Sequence, residues 1–489
     1  MFIEKIKSIS RELPDKVAIY DNTGSITYQD LITLVSKLAF EFKHLIGQTS
    51  VGVTLSDSIT AVAVRLALAQ LGVTYVQLLR RITTDEMKRR CSLTGCNIII
   101  TDQLYDSLVG QNTIVIKNYT EYLNQSEVYD TIHAQPDDDS CICWSSGTGG
   151  NADALVQSYR SMFYHASGLS DFPNKETILQ GTVYTVAPME TSYGLMMLHG
   201  ALMKGASIVV DSRPFSPSIV YNNITKYKVK NFYSSPPIYS ILLRRKTLQK
   251  YELPEFCVVA GDICSIRLQK QWQEQYGCHL YNLLGATQNG VTMARLPGDP
   301  WGSLKLFDAE CEIELRNQKG DVVVDGEPGE MWTRSKCNAV REITEGVPSL
   351  VNGWVTTHDV FIKKQGYYYI QGRSRDTFKT NGLFVSPVVI EDTIRELPEV
   401  DDVVAIHALD SNGLSCVRVC VVTFESMDLS VLQSKIKFHT HKLNSHERPK
   451  IIEIIEELPR HPMTMKIQRG RLDNTRHPLA NTVISAVDL

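Results

Sequence analysis

Strand and helix patterns alternate regularly along the first half of this chain. The buried strand pattern SVGVTL precedes the helical run SITAVAVRLALAQLG, which is followed by a second strand pattern, CNIIITD. The same alternation resumes after residue 180. Strand patterns GTVYTVAPM, SIVVDS and KNFYSSP are separated by the helical patterns GLMMLHGALMKG and PSIVYNNITKYKV. Strands that take turns with helices predict parallel sheets with helices packed on their faces.

The pattern changes near Asp308, where ECEIELRNQKGDVVVDGEPGEMWTR is typical of hairpins joined by polar turns. This stretch predicts a β-rich subdomain at about 305–375. The turn-rich segment KKQGYYYIQGRSRDTFKTNG then leads into a final α+β module. We therefore predict a large domain over 1–375 and a small one over 376–489.

Composition excludes several classes of protein. The 489 residues carry a net charge of −4 with acidic and basic residues interleaved, which argues against a nucleic-acid surface or a membrane anchor. The start MFIEKIKSISRELPDK lacks the apolar core of a signal peptide, so we expect a cytoplasmic protein. The 11 cysteines are scattered without a CxxC pair, which favours reduced, mostly buried thiols over disulfides or zinc.

A glycine-rich loop, SSGTGGNADAL, follows the strand pattern CICW. Backbone N–H groups of such a loop can surround phosphate oxygens, because glycine adopts the required dihedrals without a Cβ clash. Taken alone, the loop is equally well interpreted as a surface turn. The phosphate-binding interpretation assigns donors to Ser145, Ser146, Gly147, Thr148, Gly149 and Gly150.

Four more motifs follow in order: YNLLGATQNG, GWVTTHD, GRSRDTFKTNG and KIQR. With the loop, they resemble the signature set of the adenylate-forming superfamily, which includes acyl- and aryl-CoA synthetases, adenylation enzymes of non-ribosomal peptide synthesis and firefly luciferase. The resemblance covers essentially the whole chain. The stretches APMETSYGLMMLHGALMKGASIVVDS and FYSSPPIYSILL are most similar to benzoate- and anthranilate-type CoA ligases.

The resemblance implies a fold and a reaction. The fold is α/β, with a large N-terminal domain of stacked sheets and helices plus the β-rich subdomain, and a small mobile α+β C-terminal domain. The reaction uses ATP and Mg²⁺ to convert a small carboxylic acid into an acyl-adenylate. A thiol then displaces AMP, either from CoA or from the phosphopantetheine arm of a carrier protein acting in trans.

The resemblance also assigns roles at the nucleotide. Gly285 and Ala286 would pack along the adenine, and Thr287 would bond the α-phosphate. Asp359 would accept hydrogen bonds from both ribose hydroxyls, as suits an ionised carboxylate. Arg373 would lie beside it, at the ribose or the phosphates.

The remaining assignments concern catalysis and domain movement. Lys466 would bridge the substrate carboxylate and the phosphate, offsetting negative charge in the transition state. Asp376 matches the hinge about which the small domain turns. Lys379 and Gly382 belong to the stretch that approaches the thiol in the second step.

Several positions depart from the family pattern. Asp153 stands where the loop normally has a lysine, and Gly149 replaces a threonine. Gln288 replaces a glutamate that helps hold Mg²⁺, so it is a weak metal ligand at most. His358 replaces the glycine before Asp359. Asp153 and Gln288 leave a rival function open, a catalytically impaired protein that binds nucleotide or acyl-adenylate. A third alternative, which shares the first half-reaction, is a ligase that transfers the acyl group to an amine or a hydroxyl.

The acid-binding pocket is expected between the loop and the GATQ motif. Tyr193 and Tyr239 can wall a flat pocket for a ring, although both are equally well interpreted as core aromatics. Glu190 is unusual there, because a buried carboxylate needs a partner. Its partner is a substrate amine, as in an amino-benzoate or a β-amino acid; the alternatives are that it bonds a neighbouring backbone group or lies outside the pocket. The proposed lining residues are Glu190, Tyr193, Gly194, Tyr239, Ala260 and Gly261.

Overall fold

The computed structural model describes residues 2–80, 82–104, 108, 112–145, 152–167, 180–245, 248, 253–307, 310–343, 349–425, 427–460, 465–472 and 480–485. Up to residue 167 its elements are α1 (Phe2–Glu12), β1 (Val17–Tyr20), β2 (Ser25–Thr27), α2 (Tyr28–Phe42), β3 (Ser50–Thr54), α3 (Ile59–Gln70), β4 (Tyr75–Gln77), α4 (Thr84–Thr94), β5 (Cys96–Thr101), β6 (Thr113–Val115), α5 (Tyr119–Leu123), β7 (Asp139–Trp144), β8 (Ala154–Ser158) and α6 (Tyr159–Ser167).

The middle of the chain continues the alternation and then changes to strands alone. Its elements are β9 (Thr182–Thr185), α7 (Ser192–Met203), β10 (Ser207–Val209), α8 (Pro217–Lys226), β11 (Asn231–Ser234), α9 (Pro236–Arg245), β12 (Phe256–Val259), α10 (Ile266–Tyr276), β13 (Leu280–Ala286), β14 (Gly290–Arg295), β15 (Ser303–Leu306), β16 (Glu312–Arg316), β17 (Pro328–Arg334), β18 (Arg341–Ile343), β19 (Leu350–Val351), β20 (Trp354–Lys364) and β21 (Tyr367–Arg373). The alternation predicted from the sequence is confirmed.

The largest sheet combines a parallel half and an antiparallel half. Strands β1, β10, β9, β11, β12 and β13 pair in parallel, in that order. From β13 the sheet continues through antiparallel neighbours in the order β14, β15, β21, β20, β17 and β16. The β-rich segment is therefore continuous with the parallel sheet.

A second sheet has the order β18, β8, β7, β4, β3, β5, β6. Its edge strand β18 comes from the β-rich part of the chain, and residue Arg341 pairs with Val156 of β8. One hydrophobic core joins residues of this sheet, of the parallel sheet and of α1, α2, α3, α6 and α7. Every residue of α3 is buried, because this helix lies between other elements on all sides. The expected stacked sheets with helices are confirmed.

The C-terminal part begins with the β22–β23 hairpin and has hydrophobic clusters of its own. Both clusters are formed by residues between Phe378 and Leu472. Its elements are β22 (Phe378–Thr380), β23 (Leu383–Val385), α11 (Pro387–Arg395), β24 (Val400–Leu409), β25 (Ser415–Thr423), α12 (Leu429–Thr440), β26 (Pro449–Ile455) and β27 (Ala480–Ser485). No helix in the part of the chain described here is long and apolar enough to cross a membrane.

Candidate active site

The β13–β14 hairpin brings two chain segments unusually close together at Gly285. A Cβ added at Gly285 would lie 2.5 Å from the carbonyl oxygen of Gly290 and 2.9 Å from Cα of Val291. Such an approach excludes every residue except glycine. The register of the hairpin shifts between Leu284 and Gly285, and Ala286 follows at the end of β13. The motif thus holds two backbone segments in close contact at the end of the parallel sheet.

The backbone of the turn that follows β13 is hydrogen-bonded to two other segments of the chain. The carbonyl oxygen of Thr287 accepts a hydrogen bond of 2.8 Å from the side-chain amide of Gln157 in β8. The carbonyl oxygen of Gln288 accepts one of 2.7 Å from the N–H of Ala339. These bonds connect the turn to β8 of the second sheet and to the segment between β17 and β18, and they fix the direction in which its side chains leave the backbone.

Asp359 and Arg373 face each other across the β20–β21 ladder. Arg373 Nε lies 3.4 Å from Asp359 Oδ1. Asp359 is only 8% exposed. A carboxylate held in this way keeps acceptor capacity for further donors, and hydrogen bonds to a charged oxygen are the stronger kind. The pair therefore has the chemistry required to bind a vicinal diol.

Lys466 comes from the C-terminal part of the chain and reaches the same region. Its ammonium is close enough to Asp262, Arg373 and Asp359 for each of them to act on its pKa. Burial lowers the pKa of Lys466, while the two carboxylates oppose that effect. The structure thus brings Lys466 together with the Asp359–Arg373 pair.

Contacts between the two parts of the chain hold this arrangement. Arg244 at the end of α9 forms an ion pair of 2.7 Å with Asp401. Arg267 in α10 donates to the carbonyl oxygens of Arg395 and Val400 at 2.8 and 2.6 Å. These contacts place α11 and β24 against α9 and α10, and Lys466 follows in the same C-terminal part of the chain.

The stem of the glycine-rich loop is closed by a pair of hydrogen bonds. Ser145 N–H donates to the carbonyl oxygen of Asp153 at 2.9 Å, and Asp153 N–H donates to Ser145 Oγ at 2.9 Å. Arg89 of α4 donates to the carbonyl oxygen of Ala152 at 3.1 Å. The other proposed phosphate-loop residues lie outside the described part of the chain: Ser146, Gly147, Thr148, Gly149 and Gly150.

Four of the residues proposed to line the acid pocket are Tyr193, Gly194, Ala260 and Gly261. The Tyr193 ring lies 3.9 Å from the position that a Cβ would take at Gly261. Ala260 is buried beside it at the end of β12, and its N–H bonds the carbonyl oxygen of Ser234 at 3.1 Å. Gly194 is buried in the first turn of α7, with its N–H capped by Thr191 at 3.2 Å.

Tyr239 does not line the same surface as Tyr193. Its ring is fully buried and packs edge-on against Trp272, with centroids 4.8 Å apart. Its hydroxyl donates to the carbonyl oxygen of Phe232 at 2.9 Å. Of the two interpretations open from the sequence, the core aromatic describes Tyr239.

Glu190 has a partner within the protein. Arg80 Nε lies 2.8 Å from Glu190 Oε1, and the Glu190 side chain is 0% exposed. Arg80 also donates to Ser56 Oγ at 3.0 Å. The buried carboxylate is therefore compensated by a protein cation, and its burial does not require a substrate amine.

Asp57 interacts electrostatically with Glu190 and Arg80, and its raised pKa predicts that the stability of the protein depends on pH. Burial raises its pKa from 3.8 to about 7, and the charge of Glu190 adds to the increase. Between these values the folded protein keeps a proton that the unfolded chain has lost, so the free energy of unfolding falls as the pH rises. Asp57→Asn cannot lose a proton, yet its oxygen can still accept from Met189 N–H, which bonds Asp57 at 3.2 Å.

The melting temperature of Asp57→Asn relative to the wild type is therefore expected to rise between about pH 4 and pH 7. Thermal unfolding of both proteins across this range measures the difference. Asp137→Asn serves as the control, since Asp137 is an exposed partner of Arg160. A difference between Asp57→Asn and the wild type that stays constant with pH contradicts the prediction.

The proposed hinge and thiol-step residues occupy different surroundings. Asp376 Oδ2 lies 3.7 Å from Arg469 Nε, and Arg469 also bonds Glu391 at 2.5 Å. The hinge position is thereby connected to the segment that carries Lys466. Lys379 and Gly382 lie on the exposed β22–β23 hairpin, where Gly382 has a φ of +78° in the turn.

A family model described as AMP-binding enzyme matches residues 7–341 of this chain. The chain belongs to the AMP-binding enzyme family. This AMP-binding enzyme is 24% identical over 509 residues to a 3-hydroxybenzoate–CoA ligase of Aromatoleum sp. (strain CIB), covering 95% of the chain and 94% of the relative. It is 22% identical to a benzoate–CoA ligase of Thauera aromatica, covering 94% and 92%.

Solved structures agree on the fold. The anthranilate–CoA ligase AuaEII, in complex with anthranoyl-AMP, matches with a TM-score of 0.85 at 22% identity, covering 96% of each chain. The resemblance of this AMP-binding enzyme to benzoate- and anthranilate-type CoA ligases is confirmed.

Some site residues were not found from the sequence. Arg80 is 110 residues from Glu190, and no local spacing indicates that they meet. Glu330, which bonds His358 and Ser374, is likewise distant in the chain. Asp262 lies within VVAGDI, in the loop that follows the end of β12, and a position just after a strand end is a usable signal in parallel sheets.

Proposed function

We propose that this AMP-binding enzyme activates an aryl carboxylic acid with ATP and transfers the acyl group to the thiol of CoA. The electrostatic interaction of Lys466 with Asp262, Asp359 and Arg373 supports the proposal, because it indicates a cation from the C-terminal part of the chain near the charged pair. Relatives that act on 3-hydroxybenzoate and benzoate support the class of acid. We place the reaction in the cytoplasm, where ATP and CoA are available.

In the first step a carboxylate oxygen of the acid bonds to the α-phosphorus of ATP, and the bond to the pyrophosphate oxygen breaks. Negative charge on the carboxylate decreases while the reacting oxygens around phosphorus gain charge. Lys466 is proposed to oppose that charge, and Thr287 to bond an α-phosphate oxygen. Asp359 holds the ribose hydroxyls, so the reacting phosphorus stays in place.

In the second step the CoA sulfur bonds to the acyl carbon and AMP leaves with the bonding electrons. The thiol proton passes to solvent. Lys379 and Gly382 are on a hairpin remote in sequence from Lys466, so we propose that rotation at Asp376 exchanges the two segments at the site. A carrier-protein phosphopantetheine would present the same thiol chemistry; we propose CoA because the relatives are CoA ligases.

Magnesium would be held mainly by the substrate. Gln288 offers an uncharged amide where the family has a glutamate, and the described residues contain no group of three His, Cys, Asp or Glu side chains suited to a metal. Mg²⁺ binds readily through nucleotide phosphates with few protein ligands. Together with Asp153 in place of the loop lysine, this donor set predicts a slower first step than in relatives with the full motif.

We further propose that the acid carries a hydroxyl or amino group on its ring. The hydroxyls of Tyr193 and Tyr233 are both buried and have no hydrogen-bond partner among the described residues. Buried hydroxyls without partners are costly, so a ligand group or water is expected to satisfy them. A polar substituent at the end of the Tyr193 ring would do so.

Tyr193→Phe is accordingly expected to lower kcat/KM for hydroxy- and amino-benzoates by about tenfold, while activity with benzoate changes little. Substrate competition measurements give the ratio directly. Tyr239→Phe is the matched control, because its hydroxyl bonds a backbone carbonyl in the core. Equal losses with all three acids would contradict the assignment.

Acid-dependent ATP–pyrophosphate exchange, followed by analysis of CoA thioesters, tests the proposed function. Exchange with aryl acids and thioester formation are the expected results. Nucleotide binding without exchange would instead favour the binding-only protein. Exchange followed by transfer to an amine or hydroxyl, with no thioester, would favour the third reaction class.

A further inference from the structure

His358 has an unusual backbone conformation beside the candidate nucleotide site. Its φ is +59°, in the left-handed region that favours glycine. Glycine is also what the adenylate-forming pattern has at this position. A histidine that adopts a disfavoured conformation next to Asp359 calls for an interaction that holds it there.

That interaction is supplied by Glu330 of β17. His358 Nδ1 lies 3.1 Å from Glu330 Oε1. The same carboxylate accepts a hydrogen bond of 2.7 Å from Thr356 Oγ1 and another from Ser374 Oγ. Burial alone would raise the pKa of Glu330, but the bonds from His358, Ser374 and Thr356 lower it to about 2.

The hydrogen bonds around Glu330 involve the residues adjacent to Asp359 and Arg373. Ser374 N–H donates to the carbonyl oxygen of His358 at 2.7 Å. Ser374 directly follows Arg373, and His358 directly precedes Asp359. Glu330 therefore ties together the two backbone segments that place the Asp359 and Arg373 side chains opposite each other.

We propose that His358 is a positioning residue: its charged pairing with Glu330 holds Asp359 and Arg373 in register for binding nucleotide. The inference rests on the nucleotide role of that pair given under the proposed function. Protonation of the imidazole is what makes the pairing strong. Nucleotide affinity is therefore expected to fall as the pH rises and His358 loses its proton.

The surroundings of His358 support this direction. Its hydrogen bond with Glu330 raises the pKa of the imidazole. The other charged groups that face it among the described residues are Asp359, next to it in β20, and Glu342 of β18, and both raise the pKa further. Arg373 faces Asp359 from the opposite strand. The carboxylates that act on His358 among the described residues thus all favour the imidazolium.

The test measures the dissociation constant of ADP by titration calorimetry between about pH 6 and pH 9. We expect the affinity of the wild type to fall about three- to fivefold across this range. His358→Gly permits the same positive φ but removes the imidazole, so its dissociation constant should match that of the high-pH wild type and its profile should be flatter. Glu330→Gln should flatten the profile in the same way.

His439→Gln is the control, since His439 pairs with Glu396 in the C-terminal part of the chain. Ionisation of ADP affects all variants equally and cancels in the comparison. If His358→Gly keeps the profile of the wild type, the inference is wrong while the proposed function stands. If the wild type does not bind ADP at all, both are overturned.

Discussion

Replacing Lys466 with methionine is expected to slow acyl-adenylate formation by about 100- to 1000-fold. Methionine keeps most of the length and apolar packing of the side chain but removes its charge. Asp262, Asp359 and Arg373 would then no longer interact with the positive charge of the Lys466 ammonium. Charge that develops on the reacting oxygens would be less stabilised than in the wild type, so the transition state would be affected more than the bound substrates.

Pyrophosphate exchange with the preferred aryl acid measures this effect. The matched control is Lys450→Met, because Lys450 forms an exposed pair of 3.2 Å with Asp410 on the same domain. Melting temperatures of both variants report whether the fold is kept. An exchange rate close to that of the wild type in Lys466→Met would remove this residue from the proposed mechanism.

The second large effect is expected from Asp359→Asn, which should weaken AMP binding by about 100-fold. The loss has two parts. An amide oxygen is a weaker acceptor than a carboxylate for the ribose hydroxyls. The change also removes the negative charge that lies 3.4 Å from Arg373. Calorimetric titration with AMP measures the total.

A comparison of AMP with its 2′,3′-dideoxy analogue isolates the contribution of the ribose. The wild type should prefer AMP strongly, whereas Asp359→Asn should bind the two ligands almost equally. Asp325→Asn is the control, since Asp325 forms an exposed pair with Lys363 in the same antiparallel region. A variant that still discriminates between the ligands would show that another group holds the ribose.

Much of the fold could be predicted from local pattern. The helix α3 and the strands β3 and β5 lie where their apolar periodicity indicates. The spacing of apolar residues along a segment reflects which faces of the element are buried. The resemblance gave Asp359 and Arg373 related roles, and the ladder places them opposite each other. The motifs therefore indicated two residues that do lie together, and their role in binding nucleotide stays a prediction.

Interactions between distant segments could not be predicted in the same way. Arg80 follows β4 and Glu190 precedes α7, so only the tertiary fold brings them together and neither residue has a local signature for the other. Tyr193 and Tyr239 look alike in the sequence, but helix orientation directs one to Gly261 and the other to Trp272. Which face of an element meets a pocket depends on tertiary packing, which periodicity does not specify.

The pairing of β18 with β8 has a consequence for synthesis of the chain on the ribosome. Strand β8 is buried along its whole length, yet its outer partner begins only at Arg341. At 5 to 20 residues per second, roughly 10 to 40 s pass between completion of the two strands. During that interval the nascent chain exposes an apolar strand edge, which invites pairing with other chains. Chaperone protection is therefore needed most while this middle portion is being translated.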